Sequence, residues 1–105
     1  MSIKKFTMFN PTHPGLLLKE LLEGKKLTIT KFASLTGISR ANISKIINGH
    51  FGISVQSAII FAKFFGTTID LWVGSQSSYD IFQTQKRLEE SGRLNSVQVY
   101  EIELM

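Results

Sequence analysis

A chain of 105 residues, 43% hydrophobic and 19% charged, is long enough to bury one core and too short for two ordinary domains. The absence of cysteine excludes a disulfide framework and thiolate metal sites. No apolar run approaches the roughly 20 residues of a membrane span, and MSIKKFTMF lacks a signal-peptide core, so the cytoplasm is the expected compartment. The formal charge of +4 is unevenly spread: residues 1–50 hold eight Lys/Arg and two acids (+6), residues 51–105 four and six (−2), which points one end of the molecule at a polyanion.

Residues 1–10 read as a basic arm through Lys4 and Lys5 that reaches along a polyanion, or as a disordered tail. A first helix opens at Pro14, a residue suited to a position whose N–H has no helical partner, carries Leu17, Leu18, Leu21 and Leu22 at helical spacing, and stops at Gly24. Thr28 caps a second helix, ITKFASLT, closed by Gly37. Ser39 caps a third, stopped at Asn48-Gly49, and Ser54 caps a fourth, VQSAIIFAKFF, stopped at Gly66. Thr67 or Thr68 caps a fifth, IDLWVG, ending at Gly74. Five short helices with tight joints predict an all-α domain over residues 11–76.

Residues 77–105 read as an extension. YDIFQTQKRLEES, residues 79–91, predicts a sixth helix with Tyr79, Ile81, Phe82, Gln85 and Leu88 on a loose stripe. SVQVYEIELM alternates like a strand but has no partner in the chain; it pairs across a dimer or, as the preferred reading, forms a tail. Leu71, Trp72, Tyr79, Ile81 and Phe82 offer more apolar surface than a short trailing segment can cover, which predicts homodimerisation here.

The second and third helices carry the functional signal. Ala33 lets two helices cross closely, Gly37 takes a left-handed turn, and Ile43 and Ile46 lock the following helix: the requirements of a helix-turn-helix. With Ile43, Ile46 and Ile47 turned inward, the outer face of RANISKIINGH holds no carboxylate. A helix facing solvent has no reason to avoid acids; one entering a DNA groove does. Arg40, Ala41, Ser44 and Lys45 are the expected base-edge contacts. Thr28, Lys31, Ser39, Asn42, Asn48 and His50 are the expected phosphate contacts. In a two-fold dimer, two such helices sit about 34 Å apart, one turn of DNA.

Catalysis finds little support. His13 and His50 are the only histidines and suit no metal triad; His13, beside Pro14, reads as a cap. Glu89-Glu90 and Glu101/Glu103 belong to a solvated face and the tail. Phe32, Phe61, Phe64, Phe65 and Trp72 fall at core spacings, so no cofactor is expected.

His13-Pro14-Gly15, Leu27-Thr28, GISRANISKIINGHFGIS, AKFFGTTIDLW, Gln76 and Tyr79-Asp80 together resemble the lambda-repressor-like (Xre-type) helix-turn-helix family, and within it HigA-type antitoxins, over roughly residues 11 to 80. The resemblance implies a dimer that binds operator DNA, represses its own operon and neutralises a RelE-like, mRNA-cleaving toxin encoded beside it. An alternative is a repressor of the same fold without a toxin partner. Four positions depart from the family pattern. Ile29 stands where a phosphate-bracing Gln is usual, Lys31 where a Glu closes a capping box, Leu16 for a Glu, and Phe51 for a basic residue.

Overall fold

The computed structural model describes residues 11–101; the arm with Lys4 and Lys5, and residues 102–105 of the alternating tail, lie outside them. The described residues form five α-helices and no strand: α1 Pro14–Gly24, α2 Ile29–Thr36, α3 Arg40–Ile47, α4 Val55–Phe65 and α5 Ile69–Glu90, followed by a single 3-10 turn, Arg93–Ser96.

The starts follow the sequence closely. Thr28, Ser39, Ser54 and Thr68 each accept, through the side-chain hydroxyl, the N–H three residues on, at 3.1 Å in every case. His13 caps α1 by the same logic, its Nδ1 accepting the Gly15 N–H at 2.9 Å. Thr67 does not cap a helix; its Oγ1 accepts the Trp72 indole N–H at 2.8 Å.

Two ends differ from expectation. Gly24 is the last residue of α1, and the left-handed position is taken by Lys26 at φ 54°, with Leu27 N–H returning to the Leu22 carbonyl at 2.9 Å. More consequentially, the fifth and sixth predicted helices are one, the 22-residue α5. A glycine ends a helix by adopting positive φ, as Gly37 and Gly66 do at 80° and 71°; Gly74 is not among the glycines that do so. Residue 76, where the sequence divides domain from extension, therefore lies inside a continuous helix.

The core joins all five helices. Phe32 of α2 packs against Phe61, Phe64 and Phe65 of α4, with centroid separations of 5.7, 5.0 and 5.6 Å, and Phe61 and Phe65 in turn meet Trp72 of α5 at 5.2 and 5.9 Å. Leu18 and Leu22 from α1, Ile43 and Ile46 from α3, and Ile53, Ala58 and Ala62 complete it. The interface role expected of Trp72 is thereby corrected: the ring is fully buried within the monomer, its one polar atom is satisfied by Thr67, and nothing of it remains for a partner. Only the core spacing read from the sequence applies to Trp72.

α1 packs on α3 and on α5, and α2 on α3. The α1–α3 crossing is close because Gly15 has no side chain; an alanine Cβ there would fall 2.8 Å from the Ile46 carbonyl carbon. No described helix is long and apolar enough to cross a membrane. Beyond Ser96, residues 97–101 have no assigned structure, and Val97, Val99 and Tyr100 are exposed. They form no strand among the described residues.

Candidate nucleic-acid interface

α2 and α3 are each eight residues long, joined through Gly37 in the left-handed conformation, whose N–H donates to the Ala33 carbonyl at 2.9 Å. Thr36 reinforces the joint, donating its hydroxyl to the Phe32 carbonyl at 2.8 Å and accepting the Ile38 N–H at 3.3 Å. Phe32 anchors α2, and Ile43 and Ile46 anchor α3, all essentially buried. Burial of these residues fixes what each helix presents outward: two turns of an eight-residue helix leave one free face.

On that face of α3, Arg40, Ala41, Asn42 and Lys45 are exposed and Ser44 is half-buried. Thr28, Lys31, Ser39, Asn48 and His50 are exposed as well, so none of the ten expected contacts is buried in the core. Neither helix has an acid in its first turn, and α5, with Asp70, is the one described helix that does. The amino ends of α2 and α3 thus keep their partial positive charge uncompensated, a state that favours an external anion.

Individual side chains carry additional constraints. The Thr28 and Ser39 hydroxyls are engaged as caps through their acceptor lone pairs; each still has a proton to donate. Asn48 Nδ2 lies 3.4 Å from Ser44 Oγ, one turn earlier on the same face. Lys45, in the last turn of α3, places its ammonium 4.8 Å from the Phe51 ring centroid.

The motif residues that resemble the antitoxin branch form one cluster behind this face. Gln76 of α5 accepts the Ile53 N–H at 2.7 Å and donates to Asp80 at 2.9 Å. The Tyr79 ring meets His13 edge-on, with centroids 4.9 Å apart. The loop leaving α3 is therefore tied to α5 and to the start of α1. Gly52 is part of the fit: a Cβ there would lie 3.1 Å from the Gln76 amide nitrogen. The sequence marks Gln76 only through resemblance, since its bond to Ile53 spans 23 residues and leaves no local signal.

Within this cluster the His13 pKa lies below its ordinary 6.5, chiefly because burial disfavours the cation; the Asp80 carboxylate and a hydrogen bond to the Phe51 backbone oppose the shift without reversing it. The unfolded chain then binds a proton more readily than the folded one. Neutral His13 contributes its full stability above pH 6.5, and the contribution is lost as pH falls through the lowered pKa. We expect the melting temperature to drop between about pH 7 and about pH 5, and the drop to be shallower in His13→Asn, which keeps a capping acceptor but does not titrate. Equal slopes in the two proteins would assign the pH dependence elsewhere.

Two residues of the helix starts share a further feature of the face. Ile29, directly after the Thr28 cap, and Arg40, directly after the Ser39 cap, line one notch with Ala41 and Ser44. No group of three or more His, Cys, Asp or Glu suited to a metal occurs among the described residues.

The fold and this face have counterparts in known proteins. A helix-turn-helix family profile matches residues 18–72. Virulence-associated protein A′ of Dichelobacter nodosus is 38% identical over 88 residues, covering 83% of this chain and 76% of the relative. The HTH-type transcriptional regulator YbaQ of Escherichia coli K12 is 35% identical over 94 residues, 86% of this chain and 83% of its own. Among solved structures, a HigA-family addiction-module antidote protein from Coxiella burnetii superposes with a TM-score of 0.77 at 32% identity, over 88% of this chain and all of that one. The Pseudomonas aeruginosa antitoxin HigA, solved with the higBA promoter, shares the fold with a TM-score of 0.72 at 23% identity, over 89% of this chain and 99% of its own. This chain belongs to the lambda-repressor-like helix-turn-helix family, a DNA-binding fold, and its structural neighbours include a HigA-family antidote protein.

Proposed function

We propose that the chain is a cytoplasmic, non-enzymatic antitoxin that binds the operator of its own toxin–antitoxin operon as a homodimer, represses it, and neutralises an mRNA-cleaving toxin of the RelE type. The observation that carries the DNA half is the carboxylate-free face of α3 set beside the acid-free amino end of α2. The toxin half is supported by likeness to the Coxiella antidote protein and by the His13, Gln76 and Tyr79-Asp80 cluster. Co-expression with the adjacent reading frame tests it: growth rescue and a co-purifying complex are expected. If both fail with soluble partners, the chain is a repressor without a toxin partner, the reading that its similarity to YbaQ favours.

In this reading Arg40, Ala41, Ser44 and Lys45 meet base edges, while Thr28, Lys31, Ser39, Asn42, Asn48 and His50 hold phosphates. The dimer contact falls to α5, between Leu71 and Leu88. Leu71 and Phe82, eleven residues apart, share one stripe, and Ile81 and Leu88, seven apart, share another. Tyr79 is half-buried against His13 and contributes at most its outer edge. Ile81 is 62% exposed, so Ile81→Glu leaves the monomer core untouched and is expected to shift the dimer to monomer at micromolar concentration in sedimentation equilibrium. A variant that stays dimeric would move the interface off this stripe.

A further inference from the structure

The notch between α2 and α3 lies between two helix amino ends, because Ile29 and Arg40 each occupy the first position after a cap. Its aliphatic lining residues are the half-buried Ile29 and the exposed Ala41. Its polar lining residues are Arg40 and Ser44, the hydroxyl of the latter lying 3.4 Å from Asn48 Nδ2. No carboxylate lines it. A duplex presents one apolar substituent in its major groove, the 5-methyl of thymine, beside hydrogen-bonding base edges. A polar edge pressed on Ile29 and Ala41 would lose its water partners and gain none. A thymine methyl loses nothing, and leaves Arg40 free to donate to a neighbouring purine.

We infer that this notch is a thymine-methyl subsite, with Ile29 and Ala41 as specificity-determining residues. The inference rests on the DNA-binding reading above and goes beyond it, since Ile29 stands where the family pattern has a phosphate-bracing Gln. It requires a thymine at one fixed position in each operator half-site.

The probe is a duplex enriched from a random-sequence library by the wild-type protein, in which each thymine is replaced singly by uracil. That exchange removes one methyl and leaves the base pair intact. One thymine per half-site is expected to show about a four-fold loss of affinity, the worth of one buried methyl-sized group. Ile29→Ala and Ala41→Gly, each confirmed folded by circular dichroism, should lose most of that penalty while keeping the salt dependence of binding. Neutral uracil at every position, with the operator still discriminated, overturns the notch and leaves DNA binding standing. A penalty that survives undiminished in both variants also overturns it. Enrichment of no sequence at all removes specific DNA binding and the subsite together.

Discussion

Gly15→Ala is expected to destabilise the domain by about 3 kcal/mol or more, at the upper end of the overpacking range, even though alanine is the better helix former. The added Cβ would enter the space of the Ile46 carbonyl, with the carbonyl carbon 2.8 Å away and His13 Nδ1 at 3.0 Å. Both Ile46 atoms are backbone, so no rotamer change makes room, and α1 must lift from α3. Lifting α1 exposes Leu18 and Leu22 and pulls His13 from its cap. Gly74→Ala is the matched control: nothing lies within 4 Å of its added Cβ, the site is exposed in mid-helix, and a gain of about 1 kcal/mol is expected. Urea denaturation of both variants checks the pair. A Gly15→Ala midpoint equal to wild type would mean that α1 and α3 cross at a greater distance.

Arg40→Ala should erase much of the preference for operator over scrambled duplex, and Lys31→Ala should weaken both nearly alike. The contrast follows from what each contact reads. A guanidinium set against guanine O6 and N7 discriminates by about 1–3 kcal/mol, roughly five- to 150-fold, and its loss is felt at one base pair. A lysine on phosphate meets the same group on any sequence; its removal lowers affinity uniformly and flattens the salt dependence by about one counterion. Lys31 is exposed in the first turn of α2, where a cation opposes the helix dipole by about 0.3–1 kcal/mol; contact with phosphate gives that placement a use. Lys45→Ala is expected to cost less discrimination than Arg40→Ala, because its ammonium rests over Phe51. Titrations against both duplexes at two salt concentrations separate these effects. Folded Arg40→Ala that keeps wild-type specificity would remove α3 as the reading element.

The caps at Thr28, Ser39, Ser54 and Thr68 are legible in the sequence because each is a bond from a hydroxyl to an N–H three residues away, written in a four-residue window. The inward stripe of α3 is legible for the same local reason. Gly74 is not, because whether a glycine stops a helix depends on its φ, and neighbours outside the window decide that. Trp72 suits both a core and an interface by spacing; only its contacts with Phe61, Phe65 and Thr67 distinguish the two. The meeting of Ile29 with Arg40 depends on how α2 crosses α3, a relation between helices that the spacing within either one does not encode.

The uninterrupted α5 has a consequence for which changes of length the chain can absorb. Its first turns are fixed by Trp72, its middle by Gln76 and Asp80, and its far stretch carries Ile81, Phe82 and Leu88. With no joint between these points, one residue inserted after Asp80 would swing every later side chain by about 100° and advance it by about 1.5 Å. The same insertion after Gly92, itself at φ 75°, would leave every face of α5 unchanged. Homologous chains should therefore keep a constant count from the tryptophan to the end of this helix and vary freely in the tail beyond it, so that α5 serves as the molecule's ruler.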